Sequence, residues 1–144
     1  MPSYVLNPLD IAHVTNVLFD RGVELQWTPF DADVLPRDVI AVELVWHAPE
    51  ATLPQYQVFL HVLDLDGRLI VGRDSGPVND LRPTNDWGPG ERVSSLHAVL
   101  LPPDLATDEY QVHTGLYELD SGIRLTTADG GDSVLLGRVT QIPE

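Results

Sequence analysis

The chain has 144 residues, no cysteine and a formal net charge of −14, from 22 acidic and 8 basic side chains. The length predicts a single domain, and the missing cysteine excludes disulfides, a thiol nucleophile and cysteine-ligated zinc. So acidic a surface makes nucleic acid a poor partner, and no apolar run is long enough for a transmembrane segment. The first residues also lack the pattern of a signal peptide.

Short stretches of alternating or β-branched apolar residues recur along the chain, each bounded by Pro, Gly or Asp. This period of two, without a long helical period, predicts an all-β protein. Residues 1–12 are expected to be a lead-in tail and residues 13–142 a single domain. The predicted strands cover residues 13–19, 22–28, 38–46, 55–64, 68–74, 92–101, 109–118, 123–127 and 133–142.

Three short segments have the composition of hairpin turns, namely residues 20–22, 64–67 and 120–122. Each joins an Asp to a Gly that can adopt a positive φ. The longest stretch without strand character covers residues 75–91. At this length it is expected to be either an ordered functional loop or a cover for a sheet edge.

A weak internal repeat relates two halves of the chain. The segment that begins at Tyr56 resembles the one that begins at Tyr110, 54 positions later. Each half has a strand, a Pro-containing crossover and a hairpin, which together predict a two-sheet antiparallel β-sandwich of immunoglobulin-like plan with about eight or nine strands. Tyr110, after a Pro-rich crossover, is typical of a tyrosine corner.

Two histidines on repeat-equivalent strands are candidates for chemistry. His61 shares a strand face with Gln57 and Phe59, where it is either a structural imidazole or a metal-binding or catalytic group. His113 aligns with Phe59 in the repeat rather than with His61. The two imidazoles approach each other only if their strands are neighbours, which the sequence leaves open.

Acidic turns raise the question of a bound cation. Residues 64–67 begin like a calcium loop, but Ser75 stands at the twelfth position, where an EF-hand needs Glu. Asp120, Asp129 and Asp132 lie in two further turns. They are either solvated turn residues or ligands of a Ca²⁺ ion at the edge of the sandwich, and no other cofactor is expected.

The tryptophans are candidate anchors or ligand contacts. Trp46 ends an alternating strand and is predicted to anchor the core. Trp87, beside Asn85 and Asp86 in the long loop, is expected either to cover the open end of the sandwich or to stack on a sugar, and Trp27 has the same alternatives. No nucleophile elbow, P-loop or dinucleotide motif occurs, so the chain is not expected to be an enzyme.

Several phrases occur together in a familiar order. They are PRDVIAVELVW (36–46), YQVFLHVLDLDG (56–67), WGPGE (87–91), LPPD (101–104) and YQVHTGLY (110–117), with Arg124 and Leu125 after them. In this order, over about residues 14–141, they resemble the C-terminal β-sandwich module of bacterial membrane glycosyltransferase-like proteins of the dolichyl-phosphate-mannose-protein mannosyltransferase class. The chain departs from that pattern at residues 107–109, where a Pro-Gly turn is expected.

The resemblance implies a non-catalytic accessory module on the extracytoplasmic face of a membrane, which positions or recognises a glycan or a protein partner. The transferase chemistry of that family belongs to its membrane segment, so no catalytic residue is carried over. Two alternatives stay open, a stand-alone carbohydrate-binding module and a structural or protein-interaction domain. A chain outside that family is expected to be cytoplasmic.

Overall fold

The computed structural model describes residues 3–8, 17–29, 39–102 and 109–142. These residues form nine strands in two sheets, with orders β1-β9-β8-β5-β6 and β2-β3-β4-β7, and all neighbouring strands are antiparallel. The two-sheet all-β prediction is therefore confirmed. The strands are β1 (Ser3–Pro8), β2 (Val17–Leu18), β3 (Glu24–Pro29), β4 (Val39–His47), β5 (Tyr56–Leu63), β6 (Leu69–Ser75), β7 (Arg92–Leu100), β8 (Glu109–Glu118) and β9 (Val134–Ile142).

The centre of the sandwich has the arrangement of an immunoglobulin-like domain. Strand β4 pairs with β7 in one sheet, β5 pairs with β8 in the other, and the chain crosses between the sheets from β4 to β5 and from β7 to β8. Leu60 faces Thr114 in the β5–β8 register. Those two positions are separated by the 54-residue repeat offset, so an approximate two-fold axis passes between them.

Alternating side chains from both sheets fill the space between them, as a strand period of two requires. Strands β4 and β5 contribute six fully buried side chains, namely Val42, Leu44 and Trp46 from β4 and Val58, Leu60 and Val62 from β5. Trp46 packs against Phe19 with ring centroids 5.8 Å apart. The prediction that Trp46 anchors the core is confirmed.

Two boundaries differ from those that the strand pattern predicts. Residues 3–8, expected in a lead-in tail, form β1, which pairs with β9 along its whole length. Residues 123–127, expected as a strand, make only two isolated bridges, Tyr117 with Arg124 and Phe19 with Thr127. Of the strand predicted at 13–19, residues 13–16 lie outside the described part of the chain. Among the described residues, no helix has the length and hydrophobicity that would suit a bilayer.

The predicted turns form where Asp and Gly meet. In the β5–β6 turn, the Asp64 carboxylate accepts hydrogen bonds from the backbone N–H groups of Asp66 (2.9 Å) and Arg68 (2.8 Å), and Gly67 has φ +88°. The long β6–β7 connection is ordered around a short 3₁₀ turn, Thr84–Asp86. Tyr110 is buried as a tyrosine corner requires, although most of the crossover before it (103–108) lies outside the described residues.

Candidate functional site

The pairing of β5 with β8 places His61 directly opposite His113 on the outer face of the five-stranded sheet. Directly opposed residues in an antiparallel pair have their Cβ atoms about 5 Å apart. The sequence left open whether these strands are neighbours, and the structure brings both candidate histidines together. By the approximate two-fold symmetry, this pair is equivalent to the pair of Phe59 and Gly115 one step along the same face.

Phe59 points to the outer face and is nevertheless only 1% exposed. Its ring lies across Gly115, where an added Cβ would come within 2.6 Å of Cζ. The His61 imidazole is 4.6 Å away between ring centroids, the Tyr117 ring 6.4 Å away, and the Arg124 guanidinium lies 4.3 Å above the ring. Phe59 is thus the centre of a small second core on the outside of the sheet.

Asp74, at the end of β6, joins the two rings on either side of Phe59. One carboxylate oxygen lies 3.2 Å from His61 Nε2, and the other accepts a hydrogen bond of 3.0 Å from the Tyr117 hydroxyl. Burial raises the pKa of Tyr117, and the neighbouring Asp74 carboxylate raises it further. We call Phe59, His61, Asp74, His113, Tyr117 and Arg124 the outer-face cluster.

The His113 imidazole is held on both sides. Nδ1 lies 3.1 Å from Ser133 Oγ and Nε2 lies 3.2 Å from Gln111 Oε1, so Nε2–H donates to the amide oxygen and the serine hydroxyl donates to Nδ1. Burial lowers the pKa of His113, and the nearby His61 and Arg124 lower it further. An amide does not stabilise an imidazolium as a carboxylate does, so this arrangement favours a neutral, structural imidazole over an activated base.

The tryptophans proposed as sugar contacts are buried. Trp87 is 4% exposed, and its indole Nε1 donates a 3.0 Å hydrogen bond to the Arg82 carbonyl. Trp27 is 1% exposed and lies on β3, in the core. Stacking of these two rings on a sugar is therefore not supported, because a buried indole has no free face, and Trp87 instead covers the sandwich. The neighbouring Asn85 and Asp86 lie exposed in the 3₁₀ turn.

In the acidic turns, the carboxylates of Asp129 and Asp132 contact other groups of the protein. Asp129 accepts hydrogen bonds from the Thr127 hydroxyl and the Gly131 N–H, which together lower its pKa. Asp132 lies 3.5 Å from Arg124, and Asp120 is exposed in the turn after β8. Within the described ranges, no three His, Asp or Glu side chains form a group that could hold a metal ion. The Ca²⁺ site stays a prediction that this geometry does not favour.

One cleft was not anticipated from the sequence. It has a volume of about 410 Å³ and lies between the turn after β2 and the turn after β8. Its lining includes Asp20, Arg21, Tyr56, Glu118, Ser121 and Ile123. We call it the Arg21 cleft. A non-glycine residue in an Asp-x-Gly turn was the only sequence signal, and that pattern is far too common to mark a site.

The fold and these surfaces define an antiparallel β-sandwich domain with a polar and aromatic patch on one face. No family model matches the chain, and no curated protein matches it significantly. Among solved structures, chicken MD-1 complexed with lipid IVa is similar at 11% identity and a TM-score of 0.35, over 88% of this chain and 94% of that chain. So loose a similarity does not bear on the ligand of this chain.

Proposed function

We propose that this domain is a non-catalytic recognition module whose outer-face cluster contacts a glycan. The observation that carries the proposal is the grouping of two rings that are not fully buried, His61 and Tyr117, around the Asp74 carboxylate and over the buried Phe59 on the outer sheet face. His61 and Tyr117 are amphipathic side chains. Such side chains combine apolar area with hydrogen-bonding edges, which is the chemistry that a sugar ring presents.

The hydrogen-bonding groups around the cluster suit hydroxyl groups better than a charged ligand. Asp74 and Arg124 have opposite charges, and each is partnered, Asp74 with His61 and Tyr117 and Arg124 with Asp132. Burial lowers the pKa of His113 in the same cluster, and its ring nitrogens already have Ser133 and Gln111 as partners. A neutral ligand can therefore exchange hydrogen bonds with these groups without leaving a charge unpaired.

The parent protein is a second part of the proposal. The phrases that resemble those of membrane glycosyltransferase-like proteins are the support for placing this module beside such a transferase, on the extracytoplasmic side. Reading the encoding gene on both sides of these 144 codons tests this part. An adjoining multi-spanning segment in frame supports it, and its absence on both sides contradicts it.

Glycan binding is tested by titrating a broad glycan array with the chain and with two variants, Tyr117→Ala and Asp74→Ala. Both variants are expected to lose binding at least tenfold, because each removes one side of the cluster. Ser94→Ala, exposed on β7 in the other sheet, is the matched control and is expected to bind as the unmodified chain does. Binding that survives both cluster variants, or no binding to any glycan, contradicts the proposal.

A protein-interaction role is favoured by a different observation. Val78, Asn79 and Asp80 all have positive φ, at +54°, +50° and +68°, and Leu81 follows them 76% exposed. Three consecutive non-glycine residues in this region are strained, and strain of this kind is concentrated at functional sites. A partner identified by mass spectrometry, lost with Leu81→Ser and retained with Leu119→Ser, supports this role. Equal loss in both variants contradicts it.

A further inference from the structure

The Arg21 cleft is lined by polar groups together with the apolar side chains of Ile123 and Leu125. Its polar lining includes Arg21 and Tyr56, which lies at the start of β5. Glu118 stands opposite Tyr56 in the β5–β8 register, and Ser121 belongs to the turn that follows. The exposed side chain of Ile123 adds an apolar wall. A small-molecule site is usually concave and partly apolar, with a small number of polar groups that converge on the ligand.

The backbone at Arg21 provides a second, independent observation. Arg21 has φ +64°, and Gly22 after it has φ +80°. Asn, Asp and Gly adopt this left-handed region readily, whereas a long side chain there has a conformational cost of about 1 kcal/mol or more. The fold nevertheless holds an arginine here, with its guanidinium on the cleft. Strain of this kind is concentrated at functional sites.

The charges that line the cleft determine the class of ligand. Two carboxylates, Asp20 and Glu118, and two guanidinium groups line the cleft, so a free anion would meet the former and a free cation the latter. Hydroxyl groups both donate and accept, and they can satisfy carboxylate, guanidinium, phenol and serine groups at once. The carbon face of a sugar ring would lie on the apolar wall. The volume of about 410 Å³ suits one or two sugar rings.

We propose that the Arg21 cleft binds a neutral, hydroxyl-rich ligand of one or two sugar rings. The inference rests on the proposed function in so far as that function concerns glycans, but it concerns a separate site. Arg124 lines the cleft and also belongs to the outer-face cluster. The two sites are therefore adjacent, and one extended glycan can occupy both.

Ligand-observed NMR on the 144-residue chain tests the cleft, with D-mannose, D-glucose, D-galactose and trehalose as neutral probes. Glucuronate is the anionic probe and glutamine the zwitterionic probe. The variants are Arg21→Asn, which keeps a residue suited to positive φ, and Glu118→Gln, which keeps the size of the side chain. Arg92→Asn, on β7 and outside the lining of the cleft, is the matched control. Thermal melting confirms that each variant is folded.

At least one neutral sugar is expected to bind, with Kd raised tenfold or more in Arg21→Asn and Glu118→Gln and changed less than twofold in Arg92→Asn. Stronger binding of glucuronate or glutamine than of every neutral probe overturns the ligand class. Binding that both cleft variants retain overturns the site. If Tyr117→Ala then abolishes that binding, the outer-face proposal stands while the cleft proposal fails. No binding of any probe also overturns the cleft proposal.

Discussion

His61 on β5 and His113 on β8 face each other across one ladder, and the approximate two-fold axis maps this pair onto Phe59 and Gly115. In the repeat, His113 therefore occupies the position equivalent to Phe59, and Gly115 occupies the position equivalent to His61. This substitution within a repeat gives the outer face its asymmetry. The ring of Phe59 can lie flat on the sheet only because its partner has no side chain.

The contact between Phe59 and Gly115 leads to a stability prediction. In Gly115→Ala the new Cβ would come within 2.6 Å of Phe59 Cζ, so the ring must leave its place. Overpacking of this kind is expected to lower the free energy of unfolding by about 1–3 kcal/mol, measured by urea denaturation. Gly88→Ala, where the nearest atom is 3.7 Å away, is the control. Equal stability of the two variants would contradict the prediction.

Asp74 is expected to influence the titration of Tyr117. The pKa of Tyr117 is raised by burial and, in addition, by the carboxylate that accepts its hydrogen bond. In Asp74→Asn the second effect disappears, so the pKa of Tyr117 should fall while it stays above its ordinary value. The measurement is absorbance at alkaline pH, with Tyr117→Phe to assign the signal. Asp132→Asn, which faces Arg124 instead, should leave the titration unchanged.

Because its imidazole is buried, His97 is expected to make the folded protein less stable in acid. Burial lowers its pKa to about 4 from 6.5, and Arg73 contributes in the same direction. Between these two values the unfolded chain binds more protons than the folded chain. The contribution of His97 to the free energy of unfolding is therefore fully present above about pH 6.5. As the pH falls towards 4, the free energy of unfolding decreases by about 3 kcal/mol.

Urea unfolding at several pH values measures this dependence. The non-titrating variant His97→Gln should show a distinctly smaller decrease between pH 6.5 and pH 4 than the unmodified chain. Identical slopes in the two proteins would show that His97 is not the titrating group. The Ser95 hydroxyl, 2.7 Å from His97 Nε2, keeps a hydrogen-bond partner within reach of the new amide.

Thr84 is expected to stabilise the long loop through a buried hydroxyl. Its Oγ1 accepts a 2.7 Å hydrogen bond from the Tyr56 N–H and donates one of 2.6 Å to the Pro54 carbonyl. Thr84→Val keeps the shape and leaves both backbone groups without this partner, so unfolding should become easier by about 1–3 kcal/mol. The exposed Thr28→Val on β3 serves as control, and an equal effect there would refute the assignment.

The tryptophans should be shielded from solvent in the folded chain. Trp27, Trp46 and Trp87 are all at most 4% exposed. Collisional quenching of fluorescence by iodide is therefore expected to be weak in buffer and to increase several-fold in concentrated urea. Strong quenching of the folded chain, reduced by Trp87→Phe, would show instead that the loop indole is accessible.

Much of the fold follows from local patterns. The alternation at residues 55–64 and 109–118 predicts strands that the structure shows as β5 and β8, almost to the residue. The Asp-Gly turn at 64–67 forms because Asp64 caps the backbone of its own turn. Residues 3–8 were missed as a strand because two prolines suggested a tail, whereas pairing with β9 outweighs that local preference.

The candidate sites follow less from the sequence. The sequence around Trp87 and around Trp27 is compatible with surface contacts. Their burial depends on how the loop and the sheets pack. Tyr117 and Asp74 are 43 positions apart and meet only because β5 lies between β8 and β6. No local pattern predicts this contact.

The sequence by itself therefore determined where most of the strands and turns form, because these depend on neighbours within a few residues, and its internal repeat indicated an all-β sandwich. Only the tertiary structure decided that His61 opposes His113, that Asp74 joins His61 to Tyr117 and that Arg21 and Tyr56 line one cleft. Those contacts depend on which strands are adjacent and in what register. A period of two along one strand fixes which side chains share a face, but it does not choose the partner strand or distinguish registers that differ by two residues.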